Sequence, residues 1–262
     1  MSTHHDPFTE FRALHHATEP LLLPNAWDHV SAAALVAAGF RAIGTTSLGV
    51  AAAHGLPDGQ GRTREETVAL VRRLTGLPCL LTVDVEGGFS DDPAEVADLA
   101  ETLAGLGAVG INLEDGRAGR TLADPGRQAE AIRAVKDRVP ELFVNARIDT
   151  YWLGVDTGDL APTLDRAHRY RQAGADGIFV PGRIPDLPAL LVGVSLPLNV
   201  LYLPGERTVP ELAALGVRRV STGSLLLRAA VGATVAAAEA IRAGASPAGP
   251  VPSYADIQSL CR

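Results

Sequence analysis

Eight short apolar runs bounded by turn residues recur along this chain, at 21–24, 42–46, 79–84, 110–114, 143–147, 177–181, 198–203 and 219–222. Stretches of helical spacing alternate with them, at 29–38, 63–74, 94–106, 126–139, 160–173, 185–191, 209–215 and 225–243. Such alternation requires a parallel sheet with right-handed crossovers, since parallel neighbours can be joined only by a long connection that packs back onto the sheet. Eight units close naturally on themselves, so the expected fold is α/β, a (β/α)8 TIM barrel. A doubly wound open sheet is the alternative, but neither a dinucleotide fingerprint nor a Walker loop follows the early strands. Four helix-to-strand joints, at 37–40, 106–109, 173–176 and 215–218, each supply a glycine where a helix C-cap needs positive φ.

With 262 residues and 47% hydrophobic content, the chain can bury one large core. We expect one barrel domain over residues 1–243, followed by an extended C-terminal arm over 244–262 that opens with a Pro-, Gly- and Ala-rich stretch. Two cysteines, Cys79 in an apolar run and Cys261, make no disulfide framework, and neither a signal-like segment nor a membrane span is evident. A cytoplasmic protein is therefore expected. The formal net charge of −7 argues against a nucleic-acid partner. The 225–243 helix is apolar almost all round, from Leu225, Leu226 and Leu227 through Val231, Val235 and Ala238, which predicts burial against another copy of the chain in a homo-oligomer.

In a barrel of this kind the chemistry sits at the C-terminal strand ends and in the loops after them. Acids cluster in those places: Asp58 after the 42–46 run, Asp84 and Glu86 in Asp84-Val85-Glu86-Gly87-Gly88, and Glu114 and Asp115 in Asn112-Leu113-Glu114-Asp115-Gly116. Converging carboxylates repel unless a cation or protons intervene, and hard oxygen ligands suit Mg²⁺, with Mn²⁺ as the alternative. A single strand-end acid more simply caps the following helix, but several on neighbouring strands weaken that reading. Asp115 has the stronger structural claim, because consecutive strand residues face opposite ways.

Arg147, in Val144-Asn145-Ala146-Arg147-Ile148-Asp149, places a guanidinium on the same rim and can anchor a substrate carboxylate bidentately. Its competing role is an ion pair with Glu114 or Asp149, and the two roles are compatible. The run Gly44-Thr45-Thr46-Ser47-Leu48-Gly49 offers backbone N–H groups that can stabilise an enolate. His4, His5, His15 and His16 read as solvated or locally packed, His29 and His168 as helix residues, and His54 as near enough to reach the rim. Cys79 reads as core packing.

At these residues the chain resembles the isocitrate lyase and phosphoenolpyruvate mutase superfamily. The likeness runs from Pro24-Asn25-Ala26-Trp27-Asp28 through Gly55-Leu56-Pro57-Asp58, the Asp84 and Glu114 segments and Asn145-Ala146-Arg147 to Leu198-Asn199-Val200. The resemblance implies a Mg²⁺-dependent enzyme acting on a small-molecule carboxylate. It also implies an oligomer, a tetramer or dimer, in which the last helix is exchanged between barrels. By position, Asp84 is the implied direct metal ligand, while Asp58, Glu86 and Glu114 hold metal-bound waters. Arg147, Ser47 and Leu48 are the implied catalytic residues, and Thr46, Ser47, Leu48, Arg147 and Asn199 the implied substrate-binding set.

Three departures narrow the activity. Relatives that cleave isocitrate or methylisocitrate carry a Lys-Arg-Cys-Gly-His type segment after the 110–114 strand, whereas this chain reads Gly116-Arg117-Ala118-Gly119-Arg120-Thr121-Leu122-Ala123-Asp124. Glu86 stands where many relatives have aspartate, and Pro181 where the mutases place a histidine. A carbon–carbon lyase acting on a small 2-hydroxy or 2-oxo di- or tricarboxylate through an enolate is the leading expectation, with Arg117 and Arg120 closing over a second anionic group. An oxaloacetate-type or C–P bond hydrolase or mutase is the first alternative, and a non-catalytic carboxylate-binding barrel the second.

Overall fold

Pro24 determines how the sheet closes. The computed structural model describes residues 6–261. Its strands are β1 (Leu21–Leu23), β2 (Asn25–Ala26), β3 (Ala42–Thr45), β4 (Leu80–Asp84), β5 (Ala108–Glu114), β6 (Gly116–Arg117), β7 (Thr121–Leu122), β8 (Phe143–Arg147), β9 (Gly177–Val180), β10 (Leu198–Leu201) and β11 (Arg219–Ser221). Nine of them form one parallel sheet in the order β1-β11-β10-β9-β8-β5-β4-β3-β2, so its two ends are neighbours in the chain. β1 pairs with β11 and β2 with β3. Between them Pro24 has no N–H to donate, yet its carbonyl accepts the Gly44 N–H at 2.9 Å. Where one strand was expected at 21–24, two segments, 21–23 and 25–26, are joined by a residue that cannot continue the ladder on both sides, and the barrel closes through it.

The expected (β/α)8 barrel is the observed fold. The strands are buried on both faces, as in β5, where every residue is buried. Helices such as Pro93–Gly105, Pro125–Arg138 and Leu187–Gly193 start on aspartate N-caps (Asp92, Asp124 and Asp186) with proline in the first turn. The four joint glycines, Gly39, Gly107, Gly174 and Gly216, have φ between 92° and 102°. None of the described helices is long and apolar enough to cross a membrane.

Several elements departed from expectation. The polar N-terminal stretch forms the helix Pro7–Leu14, capped by Asp6, which seals the bottom of the barrel. Phe11 from this helix is fully buried edge-on to Phe143, at 5.5 Å between ring centroids. Gly110 permits the approach, since a Cβ there would lie 2.9 Å from the Phe143 carbonyl and 3.0 Å from the Phe11 ring. The Gly- and Thr-rich run after β3 turns directly into the helix Ser47–Ala53, and residues 116–122 form an antiparallel hairpin of β6 and β7. His4 and His5 lie outside the described residues.

The long apolar helix Leu225–Arg242 has no buried residue, and Val231, Val235 and Ile241 are 56, 53 and 63% exposed. Beyond it, the short helix Tyr254–Ser259 is followed by Leu260, whose carbonyl lies 3.0 Å from His29 Nε2.

Inside the barrel a guanidinium is buried without a carboxylate partner. Arg219 donates to Ser221 Oγ and to Asn112 Oδ1, both at 3.1 Å, and Asn145 Nδ2 reaches the same Asn112 oxygen at 2.9 Å. Burial pulls its pKa down to about 9, against the opposing charge of Asp84. Beneath it, His15 stacks on Phe143 at 4.1 Å, and its Nδ1 lies 2.9 Å from the Phe11 carbonyl. Burial first, and then the Arg219 charge, lower the His15 pKa to about 3.

His15 therefore folds neutral, whereas in the unfolded chain it takes a proton near pH 6.5. Its contribution is fully present above that value and is lost as pH falls toward the folded pKa, which amounts to about 2 kcal/mol by pH 5. Urea melts between pH 7.5 and 5 should show this loss in the native chain, and His15→Leu should flatten that part of the profile. Parallel profiles for the two proteins would contradict this account of His15.

Candidate active site

Side chains from the C-terminal ends of β3, β4, β5 and β8 face a cavity of about 680 Å³. Thr46, Ser47, Leu48, Asp58, Asp84, Glu114 and Arg147, all singled out from the sequence, line it. Asp84 ends β4; its backbone N–H donates to Thr45 Oγ1 at 2.9 Å, and its Oδ2 accepts the Ser47 N–H at 3.3 Å. Its other oxygen, Oδ1, is buried with no hydrogen-bond partner. The amides of Ser47 and Leu48 open the helix Ser47–Ala53, whose N-cap residue Thr46 makes no side-chain cap hydrogen bond.

Arg147, at the end of β8, holds the acids together. Its Nη1 is 2.7 Å from Glu114 Oε2, and its Nε donates to Asp149 Oδ1 at 2.6 Å. The guanidinium also lies 5.8 Å from the Trp152 ring centroid and 5.7 Å from that of Phe179. Burial works against its charge, but Glu114, Asp149 and Asp84 outweigh burial and hold its pKa above the ordinary arginine value. Burial raises Glu114 well above the usual carboxylate range; Arg147 opposes the rise, while Asp149, Asp84 and Glu86 add to it. Asp149 and Asp58 are raised as well, again mainly by burial.

Of the remaining expected residues, Arg117 and Arg120 line this cavity, whereas Glu86, Asn199, His54 and Cys79 stand off it. Glu86 adopts φ 49°, which turns its carboxylate toward the loop that bears Asp58, where it accepts from Gly61 N–H at 2.8 Å and Thr63 Oγ1 at 2.9 Å. It lines an adjoining cavity of about 250 Å³ that also touches Glu114. Asn199 points into the barrel interior and donates to Ser221 Oγ at 3.0 Å. Arg117 donates to the Glu114 and Gly116 carbonyls, both at 2.9 Å, and to Gln128. Arg120 donates to the Leu153 carbonyl at 2.7 Å, so both hairpin arginines are engaged by the protein itself. His54 folds back on its own helix, with Nδ1 2.9 Å from the Val50 carbonyl. Cys79 packs against the core, and burial pushes its thiol up to about 11.

Asp115 is fully buried and ties the rim to the outer layer. Its Oδ1 accepts the Asp149 N–H at 2.8 Å, and its Oδ2 accepts the Tyr170 hydroxyl at 2.7 Å and Arg166 Nη1 at 3.0 Å. Sequence reasoning gave Asp149 only an ion-pair role and gave no role to Asn25, Trp152 or Phe179, all of which line the cavity. Asn25 Nδ2 donates to the Thr45 carbonyl at 2.7 Å, and its Oδ1 accepts the Thr222 and Gly223 N–H groups. Its signal was its place in the Pro24-Asn25-Ala26 motif.

Among the described residues no three His, Cys, Asp or Glu side chains gather for direct chelation. The donor set still suits one hard cation. Asp84 Oδ1, a buried carboxylate oxygen with neither a hydrogen bond nor an ion pair among the described residues, is flanked by other acids on the same cavity, an arrangement that fits an ion holding one protein ligand and several waters.

The phosphoenolpyruvate phosphomutase family model matches residues 11–242. Over 251 residues the chain is 47% identical to an uncharacterized protein of Mycobacterium tuberculosis, covering 95% of each. Over 195 residues it is 32% identical to the 2-methylisocitrate lyase of Salmonella typhimurium, covering 70% of this chain and 64% of that enzyme. Among solved structures, a lyase/mutase candidate from Burkholderia cenocepacia is 34% identical, with a TM-score of 0.86 over 96% of this chain and 94% of that one. A phosphonopyruvate hydrolase complexed with oxalate and Mg²⁺ is alike in fold, with 22% identity and a TM-score of 0.84 over 98% of this chain and 95% of that one.

Removing Arg147 leaves Glu114 and Asp149 as buried acids that fold only with protons bound. Their folded pKa values then stand further above the unfolded ones, so their penalty grows as pH rises and fades as pH falls. Arg147→Ala should cost about 3–5 kcal/mol at pH 8 in the presence of chelator, and clearly less at pH 5, by chemical denaturation. A deficit that is constant across that range would mean that Arg147 does not set the charge balance.

Proposed function

The chain belongs to the phosphoenolpyruvate phosphomutase family, and from that premise we propose that it is a Mg²⁺-dependent carbon–carbon lyase acting on a 2-hydroxy or 2-oxo carboxylic acid through an enolate. The observation that carries this reading is the meeting of Asp84 Oδ1, the Arg147 guanidinium and the Ser47 and Leu48 amides on one cavity. Asp84 would hold the metal directly and Asp58 and Glu114 would hold it through water, while Glu86 fixes the loop that carries Asp58. When bound, the ion supplies positive charge that offsets the acids and draws electron density from the substrate's oxo oxygen.

The protein's own groups do the rest. Arg147 binds the substrate carboxylate, oriented by Glu114 and Asp149 and flanked by the Trp152 and Phe179 rings. A hydroxyl beside the scissile bond gives up its proton and becomes the carbonyl of one product, while the electron pair of the broken C–C bond becomes the enolate of the other, whose oxygen meets the Ser47 and Leu48 N–H groups before a proton from solvent completes it. The β6–β7 hairpin, pinned by Arg117 and Arg120, excludes water from that pocket. Because this hairpin bears no acidic side chain or cysteine, a second reading is an oxaloacetate-type hydrolase, which would release no aldehyde or second oxo acid. The unpaired thiols Cys79 and Cys261 are in keeping with work in the reducing cytoplasm.

Calorimetric titration with oxalate, a planar mimic of the enolate, should show binding that requires Mg²⁺ and weakens by roughly 30-fold or more in Asp84→Asn. No binding to the intact protein with Mg²⁺ would sink both the lyase and the hydrolase readings. The exposed apolar helix Leu225–Arg242 supports a homo-oligomer, a dimer or tetramer in which this helix packs on a neighbouring barrel. Sedimentation should find an oligomer that Val231→Glu with Val235→Glu disperses; a monomeric native protein would rule the oligomer out.

A further inference from the structure

Apart from Arg228 at its lip, the charged groups of the cavity lie on one side of it. Asp58, Asp84, Glu114 and Arg147 come from the β3, β4, β5 and β8 strand ends and the loops after them. The opposite wall is formed by Phe179, Pro181, Leu201, Tyr202 and Leu203 from β9, β10 and the segments that follow them, with Trp152 beside them. No residue of this wall carries a charge or an amide side chain. Trp152 is 52% exposed although it borders the cavity, and Leu201, Tyr202 and Leu203 are only half-buried. These are apolar surfaces that a ligand can still cover.

Three of the cavity's arginines are held by the protein away from that wall, and the fourth sits at its outer lip. Arg147 is paired with Glu114 and Asp149 at the polar side. Arg117 and Arg120 donate to carbonyls and Gln128. Arg228 stands exposed at the outer lip, in the first turn of the helix Leu225–Arg242. A carboxylate pressed against leucine, proline and aromatic rings would lose its hydration with no replacement. A volume of about 680 Å³ is also far more than a two- or three-carbon acid fills.

We propose that the ligand is a 2-oxo or 2-hydroxy acid whose substituent is bulky and apolar, a branched alkyl or aromatic group that lies against Phe179, Leu201 and Leu203, and not a second or third carboxylate. This inference rests on the head-group reading above. It replaces the di- or tricarboxylate expected from the sequence with an acid of one charged end and one oily end.

The test is competition against oxalate, in the presence of Mg²⁺, by pyruvate, 4-methyl-2-oxopentanoate, phenylpyruvate and 2-oxoglutarate. At least one of the two apolar acids should bind about tenfold or more tighter than pyruvate, as burial of a large apolar group predicts, and 2-oxoglutarate no tighter than pyruvate. Leu201→Asn and Leu203→Asn should each narrow the ratio of apolar acid to pyruvate. If oxalate binds but the series is flat, or 2-oxoglutarate leads it, the apolar-substituent inference is overturned while the head-group reading stands. If oxalate itself fails to bind with Mg²⁺, the head-group reading falls and this inference falls with it.

Discussion

One guanidinium makes the rim of this barrel foldable. Glu114 and Asp149 are nearly buried acids, and without a counter-charge each would have to fold protonated or remain solvated. Arg147 touches both and is itself steadied by two aromatic rings. The pairing does not neutralise the rim, because Asp84 and Asp58 remain on the same cavity without a cationic hydrogen-bond partner. The surplus of negative charge that is left suits the divalent cation proposed above. Breaking such a buried pair generally costs more than forming it stabilises, so fold and site are coupled through this one residue.

The support behind Arg147 extends to the outer helices. Asp149 is held through its backbone by Asp115, and Asp115 by Tyr170 and Arg166 of the helix Ala161–Gln172. Gly116 belongs to the same arrangement, since a side chain there would overlap the Asp149 carboxylate. On the other flank Glu86 fixes the Asp58 loop through Gly61 and Thr63. The acids of this rim therefore divide into those that face the cavity and those that aim their neighbours.

That division marks the limit of what the sequence made legible. The strands and major helices were readable because periodicity and turn residues act locally, and the strand-end position of Asp84, Glu114 and Arg147 followed from barrel geometry. The orientation of Glu86 depends on a positive φ that no pattern announces, and that of Asn199 on which face of β10 turns inward. The helix Pro7–Leu14 was overlooked because its polar composition hides the single buried anchor, Phe11. The helix Ser47–Ala53 was not foreseen because glycine and threonine mark both turns and helix starts. The hairpin arginines looked free because their acceptors are mostly backbone carbonyls, which carry no residue identity.

The proline seam also bears on how the chain is made. β1 leaves the ribosome well before its partner β11, with Leu21 paired to Arg219. Until β11 arrives, the growing sheet is an open ribbon with two unpaired edges, and β2 already secures one of them to β3. Closure of the sheet therefore waits on the longest-range pairing in the fold.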